Sequence, residues 1–457
     1  MKISHLGYCA LAGTLLLASC QNDDVSEDVQ PTVIDASTLL TVEVGNNHLV
    51  EGEDYTEREW IFISDSEGEV LQTQEVTNGS RLEFERPDDF EKDHITATRL
   101  RLYERDDYRS LSMYTYTNIS PDNWVLGGNE NTNRTPLGEV SGSFVSATYD
   151  NFLAASSRQF VQQTNNLIGE DSVRVDFEAQ LYENKERLYV SLLEDQPKYL
   201  YTEIELGNTY DFTPDDFSTM GVAKSVEVPY VEQAFAQVYG TTKEGDWLVV
   251  SKSRWNEETS SIPYYLPDYS FAELDYTFSA HGENGISYYR RDTDNIPDSY
   301  SIPTVAYSVG NNQLSEFEAS VDYAHDFWVA SFYDYNPDEE LTNIWLSIYG
   351  SESRDIRFSV SIPEEITEQY PFMGSRMNNT PLKNLELIDR DNISSYEEYI
   401  ATLYTKEANR DNKMYESVNI QLNTDAENGR YAAEQLPKHG RAGQKQYIRE
   451  REHGRKW

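Results

Sequence analysis

A mainly β protein, built of tandem β-sandwich or jelly-roll-like modules with two short helices, is what this sequence predicts. The prediction has three sources. Apolar and polar residues alternate with period two in many short segments. The stretches between them are rich in Gly, Asn, Asp and Ser. The chain also holds 33 Tyr and 17 Phe, side chains that suit a pleated, half-buried surface.

The first clear element is Trp60-Ile61-Phe62-Ile63, which leads through Asp65-Ser66-Glu67-Gly68 to Val70-Leu71. It reads as a hairpin with glycine where a positive φ is needed. Arg81 to Glu85 and Thr98 to Tyr103 alternate, which gives each strand one dry and one wet face. The same pattern returns at Val173 to Phe177, Arg187 to Leu192, Tyr199 to Leu206, Phe317 to Val321 and Arg357 to Val360. Two segments read as helices. Pro229 to Tyr239 sets Val231, Ala234, Phe235 and Val238 on one stripe, with Gly240 just past its end. Ser395 to Lys406 has a capping-box pair at Ser395 and Glu398, with Tyr396, Tyr399, Ile400 and Leu403 as its apolar stripe. Helices this few and short cover or connect sheets and do not build a parallel α/β fold.

Breaks in the strand pattern set the expected organisation. A sandwich-like module runs over 34–119 and ends where Ser120-Pro121-Asp122-Asn123 and Gly127-Gly128-Asn129 interrupt the strands. A second β module covers 120–228, and a third, with the helices, covers 229–436. A tail, 437–457, is basic (Lys438, Arg441, Lys445, Arg449, Arg451, Arg455, Lys456) and reads as lacking a fixed fold.

At the start of the chain, Lys2 precedes an apolar run from Leu11 to Ala18 whose end leads into Ser19-Cys20, giving Leu17-Ala18-Ser19-Cys20. The run is too short for a hydrocarbon core that needs roughly 20 residues. It resembles a bacterial lipoprotein signal with a lipobox. The resemblance implies cleavage after residue 19, acylation of Cys20, and membrane attachment through that lipid. Asp23, Asp24, Glu27 and Asp28 then make residues 20–33 an acidic tether. That cluster resembles the export signal of Bacteroidetes-type surface lipoproteins, which implies an outer-membrane protein facing outside the cell. The hairpin pattern of the first module loosely resembles immunoglobulin-like or carboxypeptidase-regulatory-like modules. The organisation as a whole resembles the accessory lipoproteins of outer-membrane nutrient-uptake systems.

Charge narrows the partners. A formal net charge of −43 over 457 residues argues against nucleic acid, whose phosphates need cations. Cys9 and Cys20 are the only cysteines, so the expected folded part holds no disulfide and no thiolate site. Neither a nucleophile elbow, a His-Glu-x-x-His pair nor a phosphate-cradling glycine loop occurs. The sequence therefore nominates no catalytic residue. Asp334, Asn336 and Asp338 space oxygens as a calcium loop does. The positions where an EF-hand needs Gly and Glu are Glu339 and Trp345, which leaves an Asx-rich turn as the stronger reading and no cofactor assigned.

Aromatic residues offer the candidate binding platform: Trp255, Tyr264, Tyr265, Tyr269, Tyr288 and Tyr289, with Arg290 beside them. Flat rings stack on sugars while polar neighbours bond the hydroxyls. Adjacent tyrosines on a strand point to opposite faces, so at most one of each pair shares a groove. The expected function is a lipid-anchored surface protein that binds a glycan, an envelope polymer or a protein. The alternatives are an adhesive or fimbrial subunit, which needs exposed strand edges, and an exported glycosidase-like hydrolase, which needs a cleft with two carboxylates.

Overall fold

The computed structural model describes residues 37–422, except 50–51, 53, 106–107, 121, 128–135, 147–153, 158–160, 169–171, 193–195, 230, 232, 244, 246, 256–259, 283–284, 337, 392, 394 and 405–413. Cys20, Asp23, Asp24, Glu27, Asp28 and the basic tail lie outside the described residues.

The fold is mainly β, with several sheets and, among the described residues, three short α-helices. In chain order the first strands are β1 (Thr38–Val44), β2 (Tyr55–Ser64), β3 (Val70–Glu75), β4 (Arg81–Glu85), β5 (Ile95–Arg105), β6 (Tyr108–Ile119) and β7 (Asp122–Leu126). β2 and β3 form the expected hairpin. Gly68 takes φ +85°, while Asp65 Oδ1 accepts the amides of Glu67 (3.0 Å) and Glu69 (2.9 Å). β1 lies between β4, antiparallel, and β7, parallel, so residues 122–126 pair with the strand that opens the described chain.

The next group is β8 (Gly138–Ser146), β9 (Ala154–Ser157), β10 (Val161–Leu167), β11 (Val173–Leu181), β12 (Lys185–Leu192), β13 (Lys198–Glu205), β14 (Thr209–Phe212) and β15 (Ser218–Thr219). It forms two four-stranded sheets, ordered β10-β11-β8-β14 and β15-β13-β12-β9. They share a core of Val140, Phe144, Val175, Phe177, Leu188, Val190 and Ile204. In β11, Val173, Val175, Phe177 and Ala179 are buried while Arg174 and Glu178 are exposed, as period two requires. β12 departs from the one-dry-face reading, for all of Leu188 to Leu192 is buried. Leu188 and Val190 face the sandwich core, whereas Tyr189 enters the core of the large sheet and donates to Val250 O (2.9 Å).

The remaining elements are β16 (Gly221–Glu227), β17 (Gln233–Thr241), β18 (Trp247–Arg254), β19 (Ser261–Leu266), β20 (Glu273–His281), β21 (Ile286–Thr293), β22 (Ala306–Gln313), β23 (Glu316–Asp322), β24 (Phe327–Tyr335), β25 (Asn343–Ser351) and β26 (Asp355–Phe358). Then come α1 (Glu364–Gln369), α2 (Pro371–Asn378), β27 (Leu382–Arg390), α3 (Tyr396–Tyr404) and β28 (Met414–Gln421). A twelve-stranded sheet, β18-β17-β20-β21-β28-β27-β24-β25-β6-β5-β2-β3, joins the early and late strands through the parallel pair of β25 and β6. One face shares a core with β16, β19, β22-β23-β26 and both early helices, through Ile262, Phe317, Phe358, Ile366 and Met373. The other face, at β2, β5, β6, β24 and β27, packs on β4-β1-β7 and on α3.

Three expectations are corrected here. Residues 233–239 of the expected helix are strand and not helix: β17 buries Ala234, Ala236, Val238 and Gly240 and turns Phe235 to the other face, pairing with β18 and β20. Its apolar residues fit both periods, and the central place in the sheet decides for period two. Helix α1 begins at Glu364-Glu365, a pair that reads as a solvated turn or a helix start, while α2 was not foreseen; Pro371 at its first turn was the available start signal. The wet face expected on β5 is largely covered, which leaves Arg99 and Arg101 mostly buried. The expected helix at Ser395 stands as α3, with Ser395 Oγ accepting the Glu398 amide at 3.2 Å.

Candidate functional site

Two polar networks stand out, one exposed and one buried. The exposed one lines a shallow groove of about 410 Å3 on the outer face of β10-β11-β8-β14. Strand register makes it. Thr164, Asp176, Ser143 and Asp211 lie in one cross-strand row, and the row beside it brings Glu178, Ser141 and Thr209 level. Arg174 Nη2 donates to Ser143 Oγ (2.9 Å), which in turn donates to Asp211 Oδ1 (2.5 Å). Arg174 Nε donates to Asp176 Oδ1 (2.9 Å), and Asn166 Nδ2 donates to the other oxygen of that carboxylate (2.9 Å). The hydrogen bond from Arg174 holds the Asp176 carboxyl below its ordinary range. Gly142 makes the floor: a Cβ there would stand 2.4 Å from the Phe177 ring and 2.8 Å from Tyr210 O, so only glycine lets β14 approach β8 this closely. The groove offers one cation, several carboxylates and a row of hydroxyls, a surface suited to a ligand that both donates and accepts hydrogen bonds.

The buried network centres on Glu59, whose side chain has no exposure. Arg99 Nε meets its Oε1 at 2.7 Å; Arg101 Nε and Nη2 meet Oε2 at 3.0 and 2.7 Å. His48 Nε2 lies 2.8 Å from Glu59 Oε2, and its Nδ1 donates to Gly127 O (3.2 Å). Burial alone would push the Glu59 carboxyl up; Arg101, Arg99 and His48 together outweigh it and hold the group well below 4.5. Arg99 Nη1 also donates to Tyr404 Oη (3.3 Å), at the end of α3, and Tyr404 Oη donates to Tyr116 Oη (2.7 Å). The network ties α3 to the sheet and is closed to a ligand.

The aromatic platform does not assemble as one surface. Tyr264 and Tyr288 are core residues, 1% and 2% exposed. The Tyr264 hydroxyl donates to Thr277 O (3.2 Å), bonds Tyr300, and packs edge-on to Tyr276. Tyr289 lies on the opposite side of β21, edge-on to Tyr415. Arg290 is committed to Asp292 by hydrogen bonds of 2.8, 2.9 and 3.2 Å and to Glu416 at 3.7 Å. Tyr269 is edge-on to Tyr201 and Phe271, while Tyr265 and Trp255 are half-buried against the main core. Tyr201, Tyr269 and Phe271 form a ring cluster of their own, which includes one residue of the expected platform.

The calcium-like spacing is also resolved into protein contacts. Asp334 pairs with Arg376 (2.7 Å), and Asn336 Oδ1 accepts the Asp338 amide (3.1 Å), an Asx turn. Among the described residues no group of three His, Cys, Asp or Glu side chains is arranged to hold a metal ion. No helix among them is long and apolar enough to cross a membrane.

Sequence reasoning did not nominate Ser143, Arg174, Asp176, Asp211 or Glu59. The usable sign was a polar residue at every second position of β11 with glycine and serines opposite on β8, but it needs the strand pairing to be read. No protein-family model matches the chain, and no curated protein matches it. Among solved structures it is similar to "Biofilm associated protein - BSP domain" at 8% identity and a TM-score of 0.10, over 78% of this chain and 93% of that one. That score carries no argument about fold or function.

Proposed function

We propose that the protein is a lipid-anchored surface protein of an outer membrane, held at Cys20, that binds a hydroxyl-rich glycan or envelope polymer in the groove over β8 and β11. The observation that carries the reading is the row Thr164, Asp176, Ser143 and Asp211 with Arg174 beside it, a line of donors and acceptors on one sheet face in which Ser143 is covered while Arg174, Asp176 and Asp211 are open to solvent. Sugar hydroxyls both donate and accept, and they match such a row without a deep cleft. The acidic cluster after Cys20 supports the location by its resemblance to an export signal.

The test has two arms. Retention on immobilised neutral polysaccharides is compared for the wild type and Ser141→Trp. Ser141 is exposed, so the indole fills the groove without entering the core. Retention should be lost in the variant; equal retention, or none by the wild type, overturns the groove reading. For the anchor, Cys20→Ala should abolish incorporation of labelled fatty acid and release the chain from membranes. Persistent labelling, or membrane retention after a salt wash, would refute attachment at that residue.

A further inference from the structure

We propose that the edge of β22 docks an extended peptide of another protein, one with apolar side chains at alternate positions and neutral or basic ones between. β22 is the outer strand of the sheet β22-β23-β26, and among the described residues it pairs only with β23. Its sequence, Ala306-Tyr307-Ser308-Val309-Gly310-Asn311-Asn312-Gln313, has no charge and no proline. Those are residues with which proteins commonly blunt a strand edge against further pairing.

Both edges of the twelve-stranded sheet are covered. Along β18, Val250 O is taken by the Tyr189 hydroxyl, and Ser251 and Ser253 donate to the carbonyls of Tyr265 and Pro263 on β19. Beside β3, Gln72 and Gln74 donate to the β4 carbonyls of Glu85 and Glu83. β22 has no such cover among the described residues.

The inward row of this sheet tells what would fit. Tyr307 and Val309 oppose Val321 and Ala319, which are 2% and 3% exposed, yet Tyr307 itself is 37% exposed. A strand laid about 4.8 Å beyond β22 would extend the row and cover that ring with an apolar side chain. The register shift between Val309 and Asn311 ends the regular run, so the added pairing is short and centred on Tyr307.

Charge selects the occupant. The whole chain carries −43, and β23 bears Glu316, Glu318 and Asp322 beside this edge. Arg357 and Arg354 pair with Glu318 and Asp322 respectively. A second copy would bring the same acidic body to the contact, whereas a basic strand meets an attractive field and a neutral one no repulsion.

The probe is a capped eight-residue peptide alternating Val with Thr and Lys, titrated into the full chain and followed by fluorescence anisotropy. Saturable binding is expected, weakened about tenfold or more by Tyr307→Lys, which sets an inward charge on the edge, and retained by Tyr307→Phe. The same peptide with alternate amides N-methylated should not bind, because main-chain hydrogen bonds hold a docked strand; this arm is independent of how any variant folds. The proposal is overturned if the wild type does not bind the peptide, if the methylated peptide binds equally, or if Tyr307→Lys binds as the wild type does. A concentration-dependent dimer in sedimentation that Tyr307→Lys abolishes would give the edge to a second copy and refute the peptide occupant.

Discussion

The network around Glu59 and the network around Arg174 use the same chemistry, arginine against carboxylate with a third polar partner, in opposite surroundings. Glu59 has no exposure and its two arginines are each 18% exposed; Arg174 and Asp176 are 46% and 45% exposed. Buried, such a group is locked, because every donor must keep its acceptor or lie unpaired in a medium that does not solvate it. At the surface the same bonds exchange with water, and a ligand can take their place at small cost. The comparison teaches that burial decides which charged cluster is scaffold and which is available as a site.

The largest effect is expected where the scaffold network is broken. Glu59→Ala leaves Arg99 and Arg101 facing each other without their shared carboxylate and should cost about 3–5 kcal/mol, the range for removing one partner of a buried pair. Equilibrium denaturation in urea measures it, and a change below about 1 kcal/mol would show the pair to be as weak as exposed ones. Acid probes the same group. The Glu59 carboxyl is held well below 4.5 in the folded chain, so its contribution is present above that ordinary value and is lost as pH falls through the folded one. The stability gap between wild type and Glu59→Ala should therefore narrow as pH drops below 4.5. A gap that stays constant there would mean that the carboxyl is not the group being titrated.

Next in size is Gly142→Ala. The added Cβ meets the Phe177 ring at 2.4 Å and Tyr210 O at 2.8 Å, one a packed core ring and the other main chain. Neither yields easily, so the change should destabilise the sandwich by about 1–3 kcal/mol, the usual cost of overfilling a packed site. It should also prise β14 from β8 and move Asp211 from Ser143, so groove binding falls with stability. A variant that melts normally and binds normally would show that β14 is not fixed by this contact. Smaller again is Tyr264→Phe. It removes only the hydroxyl bonds to Thr277 O and Tyr300 and keeps the ring in place, for about 1 kcal/mol by denaturation. Any loss of glycan retention in that variant would reopen the aromatic platform.

The sequence made the strands legible where period two met a turn residue, as at Trp60 to Leu71 and Val173 to Phe177, because one buried face leaves its mark in the pattern. β17 was misread because Ala234, Ala236 and Val238 on the inner side and Phe235 on the outer also satisfy a helical stripe, and pairing with β18 and β20 is not written in the segment itself. β5 and β12 lost their wet faces because a second layer covers them, which local alternation cannot show. The groove was hidden for a related reason. Thr164, Asp176, Ser143 and Asp211 come from four strands, one of them parallel, and only the register sets them in line. Tyr264 and Tyr288 illustrate the converse, that rings near polar residues in sequence are most often core.

The smallest structural effect, and the most telling for the comparison, is expected from Arg174→Ala. Arg174 is half-exposed and its bonds to Asp176 and Ser143 exchange with water, so the melting curve should barely move. Its removal has a local signature, since the bond that keeps the Asp176 carboxyl low is gone. The Asp176 titration, followed by carboxyl NMR shifts, should rise back toward 3.8. Glycan retention should fall, because the cation of the row and its charge-assisted donors are lost together. Each readout answers a different question. A melting shift as large as that of Glu59→Ala would place Arg174 with the scaffold and erase the contrast between the two networks. An unmoved Asp176 titration would show that the ion pair is not made in solution. A normal melt and a raised Asp176, with retention intact, would leave the pair as drawn and take the ligand away from it.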